Sequence, residues 1–223
     1  MKINLTYNKS WHEKDYKWIR ELNDKYNSNW INNYSFKNFE VISLEKLSEE
    51  NLDTKDSVRF QVVWLKNIDK IMDMLPIDFQ PSRYNLIDIG CGSGISTLYF
   101  LDNFPFKSFK GVDFSKRLIK YAKDNLKKYE DRPYSKKRLN FIEFEVKNAK
   151  NYNLPKKKNF LFLYNPFGFQ TAKLFINNNL NNLKKNNSIL AIVNDIYIDK
   201  ISKMKFHKRI IRDTKNNLSL VFY

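Results

Sequence analysis

From Asn85 to the C-terminus, short apolar runs alternate with longer segments whose apolar positions recur every three or four residues. The runs "NLIDIG", "FKGVDF", "LNFIEFEV", "NFLFLYNPF" and "SILAIVN" read as five buried strands. Helices are expected between them. One covers Ile95–Asn103, and a second follows Ser115 as its cap, with Leu118, Ile119, Ala122 and Leu126 facing inward. A third runs from about Thr171 to Leu183, and a short one lies around Asp195–Met204. "FHKRIIRD" and "LSLVFY" then form two strands joined by the turn "TKNN". Strands alternating with helices imply a parallel sheet. The expected fold is α/β, a doubly wound, seven-stranded, mostly parallel sheet ending in an antiparallel hairpin.

Upstream the pattern changes. Asp56 or Ser57 is placed to cap a helix reaching about Met74, with Val58, Val62, Leu65, Ile68 and Met72 as its apolar stripe, and "LPIDFQPSR" ends it. Residues 1–55 contain no glycine or proline. They hold a helical pattern marked by Trp11, Trp18 and Leu22, a capping box of Ser10 and Glu13, and a short strand in "FEVISLEKL". They are read as an N-terminal helical cap or lid on a domain spanning 56–223.

Composition narrows the classes. At 223 residues with 42% hydrophobic residues, the chain can bury one α/β core. No apolar run is long enough to span a bilayer, and the first residues lack the apolar segment of an export signal. A single cysteine, Cys91, fits a reducing compartment, so a cytoplasmic location is expected. Two histidines and one cysteine are too few for a structural zinc site, and no metal is expected. The net charge of +16 admits nucleic acid as a partner. The same charge follows from a Lys-, Asn- and Ile-rich composition. The lysine runs "KKYEDRPYSKKR" and "LPKKKN" read as solvated loops.

Glycine is the informative residue. Three of the chain's five, Gly90, Gly92 and Gly94, fall in the crossing from the first strand to its helix. Such a turn needs positive φ or close backbone approach, and it presents N–H groups at the carboxyl edge of the sheet, where open α/β folds bind ligands. The spacing Gly-x-Gly-x-Gly differs from the dinucleotide fingerprint, although a variant nicotinamide-binding loop is an alternative. Asp88 precedes the loop and can fix it or face a cation. Asp113, 19 residues after Gly94, ends the second strand, where a carboxylate can accept ribose hydroxyls. Phe114 beside it offers an apolar face, and Cys91 reads as a small buried filler of the loop.

Asp88-Ile-Gly-Cys-Gly-Ser-Gly94 followed by Gly111-Val-Asp113 resembles the class I S-adenosylmethionine-dependent methyltransferases, over about Asn85 to Tyr223. The resemblance implies S-adenosyl-L-methionine as cofactor, held by Asp88 and the loop Gly90, Cys91, Gly92 and Gly94, with Asp113 on the ribose and Phe114 on the adenine. Asn148-Ala149 matches the family's adenine-contacting pair, with Asn in place of the usual Asp. The fourth strand ends in Asn165-Pro166-Phe167, which in this fold lies beside the methyl group. It resembles the Asn/Asp-Pro-Pro-Tyr/Phe motif of amino methyltransferases, without the second proline. The implied reaction is methyl transfer to an amine, with Asn165, Pro166 and Phe167 as the catalytic group and Asn165 also near the cofactor. A turn with Phe167 in the core is the other reading of that stretch. An inactive cofactor-binding module and a small-molecule O-methyltransferase are the alternatives for the whole. His12 and His207 read as surface residues.

Overall fold

The computed structural model describes residues 4–9, 16–36, 56–57, 60–131 and 141–223. The proposed capping box of Ser10 and Glu13, the strand in "FEVISLEKL", Trp11, His12 and Val58 lie outside them. Seven strands form one sheet: β1 (Asn85–Ile89), β2 (Ser108–Asp113), β3 (Ile142–Val146), β4 (Asn159–Tyr164), β5 (Ile189–Val193), β6 (Arg209–Asp213) and β7 (Leu218–Phe222). Their order is β3-β2-β1-β4-β5-β7-β6. The first five are parallel, and β7 runs antiparallel between β5 and β6. The expected architecture is the one observed.

Alternation along each strand divides the core between two faces. Leu86, Phe160, Phe162, Ala191 and Leu220 point to one cluster. That face is covered by α1 (Lys17–Asn33), α2 (Leu65–Asp73), α3 (Ile95–Asn103) and α4 (Lys116–Glu130). Ile87, Ile89, Leu161, Leu163 and Ile192 point to the other, under α5 (Phe169–Lys185) and α6 (Ile198–Lys203). Ser115 caps α4 as expected, its hydroxyl accepting from the Leu118 N–H at 3.1 Å.

Two helical expectations need correction. The helix starting at Asp56 or Ser57 begins instead at Leu65. A residue on another helix sets that start: Asn27 of α1 accepts from the Leu65 N–H at 2.9 Å and donates to the Val63 carbonyl at 2.8 Å. Residues 61–64 therefore run outside the helix, and Asp56 is used elsewhere. In α1, Trp18 and Leu22 are 64% and 61% exposed, so the apolar marks in the sequence are not its packing face. The buried positions are Asn23, Asn27 and Ile31. Aromatic hydroxyl and indole donors fasten the helix: Trp30 and Tyr34 both donate to Asp102 of α3, and Tyr26 pairs with Tyr99 at 2.9 Å.

The connection from β3 to β4 has only a 3-10 turn, Ala149–Asn151, where a crossover helix is usual. Asparagines of α5 hold it. Asn178 donates to the Lys150 carbonyl, Asn179 accepts from Leu154 N–H and donates to Tyr152 C=O, and Asn182 donates to Leu154 C=O, all at 2.7–2.9 Å. Their amides satisfy backbone groups that a helix would have satisfied internally. Asn179→Leu removes two of these bonds at a buried site. Chemical denaturation should show a loss of roughly 2–4 kcal/mol, the scale for leaving a buried donor and acceptor unmade.

Candidate functional site

The carboxyl ends of β1, β2 and β4 meet in a cavity of about 460 Å³. Parallel pairing of β1 with both β2 and β4 sets the three strand ends side by side. After Ile89 the chain must turn sharply. Gly90, Gly92 and Gly94 all have positive φ, and Gly94 caps α3 from the left-handed region. The Gly90 and Cys91 N–H groups donate to the Val112 carbonyl at 2.8 and 3.0 Å, which ties the loop to β2. Gly90 must be bare for a second reason. A Cβ there would come within 2.2 Å of the Pro166 ring.

Several sequence-derived site residues line this cavity: Gly90, Asp113, Phe114, Asn148, Ala149 and the run Asn165-Pro166-Phe167. Asp113 is 6% exposed and anchored through both oxygens, accepting from Gly92 N–H at 3.0 Å and Ser115 N–H at 2.9 Å. Asn148 accepts from the Lys150 N–H, which fixes the turn that carries Ala149. Asn165 has φ +40, a left-handed conformation that asparagine tolerates better than most residues. Its Oδ1 is buried without a hydrogen-bond partner. Phe167 is both core and wall: it is 6% exposed, packs in the cluster under α5, and forms an isolated bridge with Ser57.

Asp88, Cys91, Gly92 and Gly94 stand behind the wall. Asp88 is 2% exposed and accepts from Ser96 Oγ at 2.5 Å and Thr97 Oγ1 at 2.7 Å, so it fastens the loop to the first turn of α3. Burial raises its pKa to about 6, and the Asp113 charge adds to the rise, while the two hydroxyls oppose it. Burial likewise pushes the Cys91 thiol up. A Cβ on Gly111 would come within 2.8 Å of that sulfur. The Phe60 ring lies where a Gly92 Cβ would sit, and Phe60 does reach the cavity.

The rest of the wall was not legible in the sequence. Tyr7, Arg20, Asp56, Ser57, Phe60, Gln61, Trp64 and Asn67 come from upstream of β1, and Asn194, Asn216 and Asn217 from the ends of β5 and the β6–β7 turn. Asp56 accepts from the Thr171 N–H at 2.7 Å, and its carbonyl takes the Gly168 N–H, so it caps α5 beside Phe167. The segment carrying Tyr7 is pinned by Arg212, whose guanidinium donates to the Asn4 and Thr6 carbonyls and pairs bidentately with buried Asp195. Tyr7 then donates to Asn194 Oδ1 at 2.5 Å. No motif signals these contacts, because each joins residues distant in the chain. His207 lies off the wall. Arg20, Lys147 and Lys150 are its basic residues, so the charge of the chain is not concentrated there. Among the described residues no His, Cys, Asp and Glu cluster could hold a metal ion, and no helix is long and apolar enough to cross a membrane.

Residues 86–183 match a family model described as "Methyltransferase domain". A malonyl-[acyl-carrier protein] O-methyltransferase of Acetivibrio thermocellus is 32% identical over 72 residues, which is 32% of this chain and 25% of that protein. The chain thus aligns with about a quarter of the length of that curated relative. Two solved structures share the fold. The METTL16 MTase domain has a TM-score of 0.54 at 14% identity, over 95% of this chain and 81% of that one. A human methyltransferase 10 domain containing protein has a TM-score of 0.52 at 13% identity, over 79% and 91%.

Asp88 gives a pH signature. Because its folded pKa is raised, its carboxyl favours the fold most below the ordinary carboxylate pKa, and this contribution is lost as pH rises through about 6. Between pH 4 and pH 7.5 the unfolding free energy of wild type relative to Asp88→Asn should fall by about 2.5 kcal/mol, most of what a two-unit shift carries, since pH 4 lies just above the ordinary carboxylate pKa. Urea melts of both proteins at the two pH values measure it.

Proposed function

We propose that this chain is an S-adenosyl-L-methionine-dependent methyltransferase whose acceptor is an amine. One observation carries the reading: the contact of Pro166 with Gly90 gathers an anchored Asp113, the Gly90 backbone and the unpaired Asn165 oxygen around one cavity. These groups suit the cofactor. Asp113 presents a carboxylate to ribose hydroxyls, Phe114 and Ala149 offer apolar contact to a base, and Asn148 stands beside them. Asp88, Cys91, Gly92 and Gly94 act through the shape of the loop. When bound, S-adenosylmethionine supplies an already activated methyl group.

The protein's task is then positioning. The Asn165 oxygen accepts an N–H of the acceptor and turns its lone pair toward the methyl, while Pro166 and Phe167 shape the wall beside it. The carboxylates on the wall, Asp56 and Asp113, are already engaged by backbone N–H groups, and no histidine is there. The amine attacks in its uncharged form, because only that form has a lone pair to give, and the methylated nitrogen then releases a proton to solvent. The O-methyltransferase name of the relatives supports an oxygen acceptor as the second reading. A hydroxyl would have to shed its proton as it attacks, with no histidine on the wall to take it, whereas a carboxylate oxygen would need no base. Residues 1–55 read as a cap on the 56–223 domain, supported by Tyr7 and Arg20 on the wall.

Calorimetric titration with S-adenosylhomocysteine tests the cofactor reading, and a wild type that does not bind refutes it. Asp113→Ala should weaken binding by about 10- to 100-fold, the loss of a charge-assisted bond of roughly 1.5–3 kcal/mol. Asn165→Gly keeps the left-handed backbone and removes only the amide. It should leave this affinity within about threefold, and once an acceptor is in hand it should lower kcat with the melting temperature unchanged.

A further inference from the structure

Sheet order separates the cavity into two sides. Asp113, Phe114, Asn148 and Ala149 lie at the ends of β2 and β3, whereas Asn194 follows β5 and Asn216 and Asn217 lie in the β6–β7 turn. A short piece of chain from far upstream completes the second side. Residues 4–9 lie against the β6–β7 hairpin, and Tyr7 among them reaches the wall.

The two partners in this contact differ in kind. On the hairpin side the groups are buried and fixed. Asp195 and the Arg212 side chain form a fully buried bidentate pair, and the Ser219 hydroxyl donates to the same carboxylate. Asn217 is buried as well, and Asn194 and Asn217 both hold a left-handed backbone, with φ +59 and +52. On the other side, none of residues 4–9 is buried, and Leu5 packs only in part against the apolar core. Hydrogen bonds hold the segment instead. Arg212 donates to the Asn4 and Thr6 carbonyls, Tyr7 donates to Asn194 Oδ1, and Asn8 donates through its side chain to the Lys215 carbonyl. Asn217 accepts from the Asn8 N–H and donates to the Asn8 carbonyl, both at 2.9 Å. A segment held by hydrogen bonds near the surface, with little apolar burial, opens locally at a lower free energy than the whole fold. Detachment leaves the receiving groups in place. The Asp195 pair, the Ser219 bond and the bond from the Asp195 N–H to the Asn217 carbonyl do not involve the segment.

We propose that residues 4–9 are a strap that opens locally and gates the cavity, latched shut by the side chains of Asn194 and Asn217. What passes the gate, the nucleoside cofactor and its product, rests on the methyltransferase reading above. A cavity of about 460 Å³ whose wall includes Tyr7 and Asn217, from the two ends of the chain, must part somewhere to admit such a ligand. The strap parts without disturbing the core. Tyr7 leaves with it, while Asn194, Asn216 and Asn217 stay as wall, Asn216 being held separately by Lys70 and Asp213. A gate of this kind changes how fast a ligand exchanges more than how tightly it binds, because the same opening precedes entry and exit.

The test uses the full chain with S-adenosylhomocysteine as ligand and compares wild type with Tyr7→Phe and Asn217→Gly. The first removes the bond to Asn194. The second keeps the left-handed backbone and removes both bonds to Asn8. Stopped-flow fluorescence should show association and dissociation both faster by at least about threefold in each variant, with Kd within about twofold. Either variant carries the comparison if the other does not fold. Amide hydrogen exchange read by NMR gives a second measure that needs no ligand. Corrected for intrinsic rates, the wild-type Asn8 amide should exchange more slowly than in an unfolded chain, yet at least about tenfold faster than that of Phe162 in β4, because the strap opens before the sheet does. An Asn8 amide without protection, or one protected as strongly as Phe162, overturns the strap. Ligand exchange at the same rates in wild type and variants overturns the gate. Faster dissociation with unchanged association makes the strap a binding contact and also overturns it. If S-adenosylhomocysteine does not bind wild type, the cofactor reading fails, and the Asn8 exchange still decides whether the strap opens.

Discussion

The carboxyl edge of this sheet depends on one close approach, the seating of Pro166 against Gly90. Two parallel neighbours, β1 and β4, end side by side, and whatever follows them must share the same space. A Cβ at Gly90 would lie 2.2 Å from the proline ring, so only glycine lets both turns exist together. The consequences spread outward. Gly90 can bond back to Val112 and hold the loop on β2, and Asn165 is set in its left-handed turn with its oxygen buried and unpaired.

Around this contact, buried acids serve geometry. Asp88 fixes the start of α3, Asp113 holds both the loop and the start of α4, and Asp56 caps α5. Each accepts from backbone N–H or hydroxyl donors, which offsets the cost of burying a carboxyl.

Asparagine plays the corresponding part for the backbone. Asn27 starts α2, Asn178, Asn179 and Asn182 hold the β3–β4 connection, and Asn217 ties down the N-terminal segment. A side-chain amide offers a donor and an acceptor together, so one residue can complete a peptide edge that no helix or sheet completes. In the sequence these residues read as a compositional tendency, because each bond reaches 25 or more positions along the chain.

By itself, the sequence determined what depends on local periodicity and local backbone freedom. The strand and helix order from Asn85 onward, the hairpin, the Ser115 cap, the glycine turn and the Asp113 strand end all follow from spacing, and all are present. Tertiary structure decided what depends on long-range polar pairing. It moved the start of α2 to Leu65, because Asn27 supplies the cap, and it turned Trp18 and Leu22 outward, because α1 is fastened through Asn27, Tyr26, Trp30 and Tyr34. It set Asp88 and Cys91 behind the wall, where burial governs their chemistry. It also brought Tyr7, Trp64 and Asn67 to the cavity. A hydrogen bond between segments far apart leaves no period in the chain that carries it, whereas a strand, a helix or a glycine turn is dictated by its immediate neighbours.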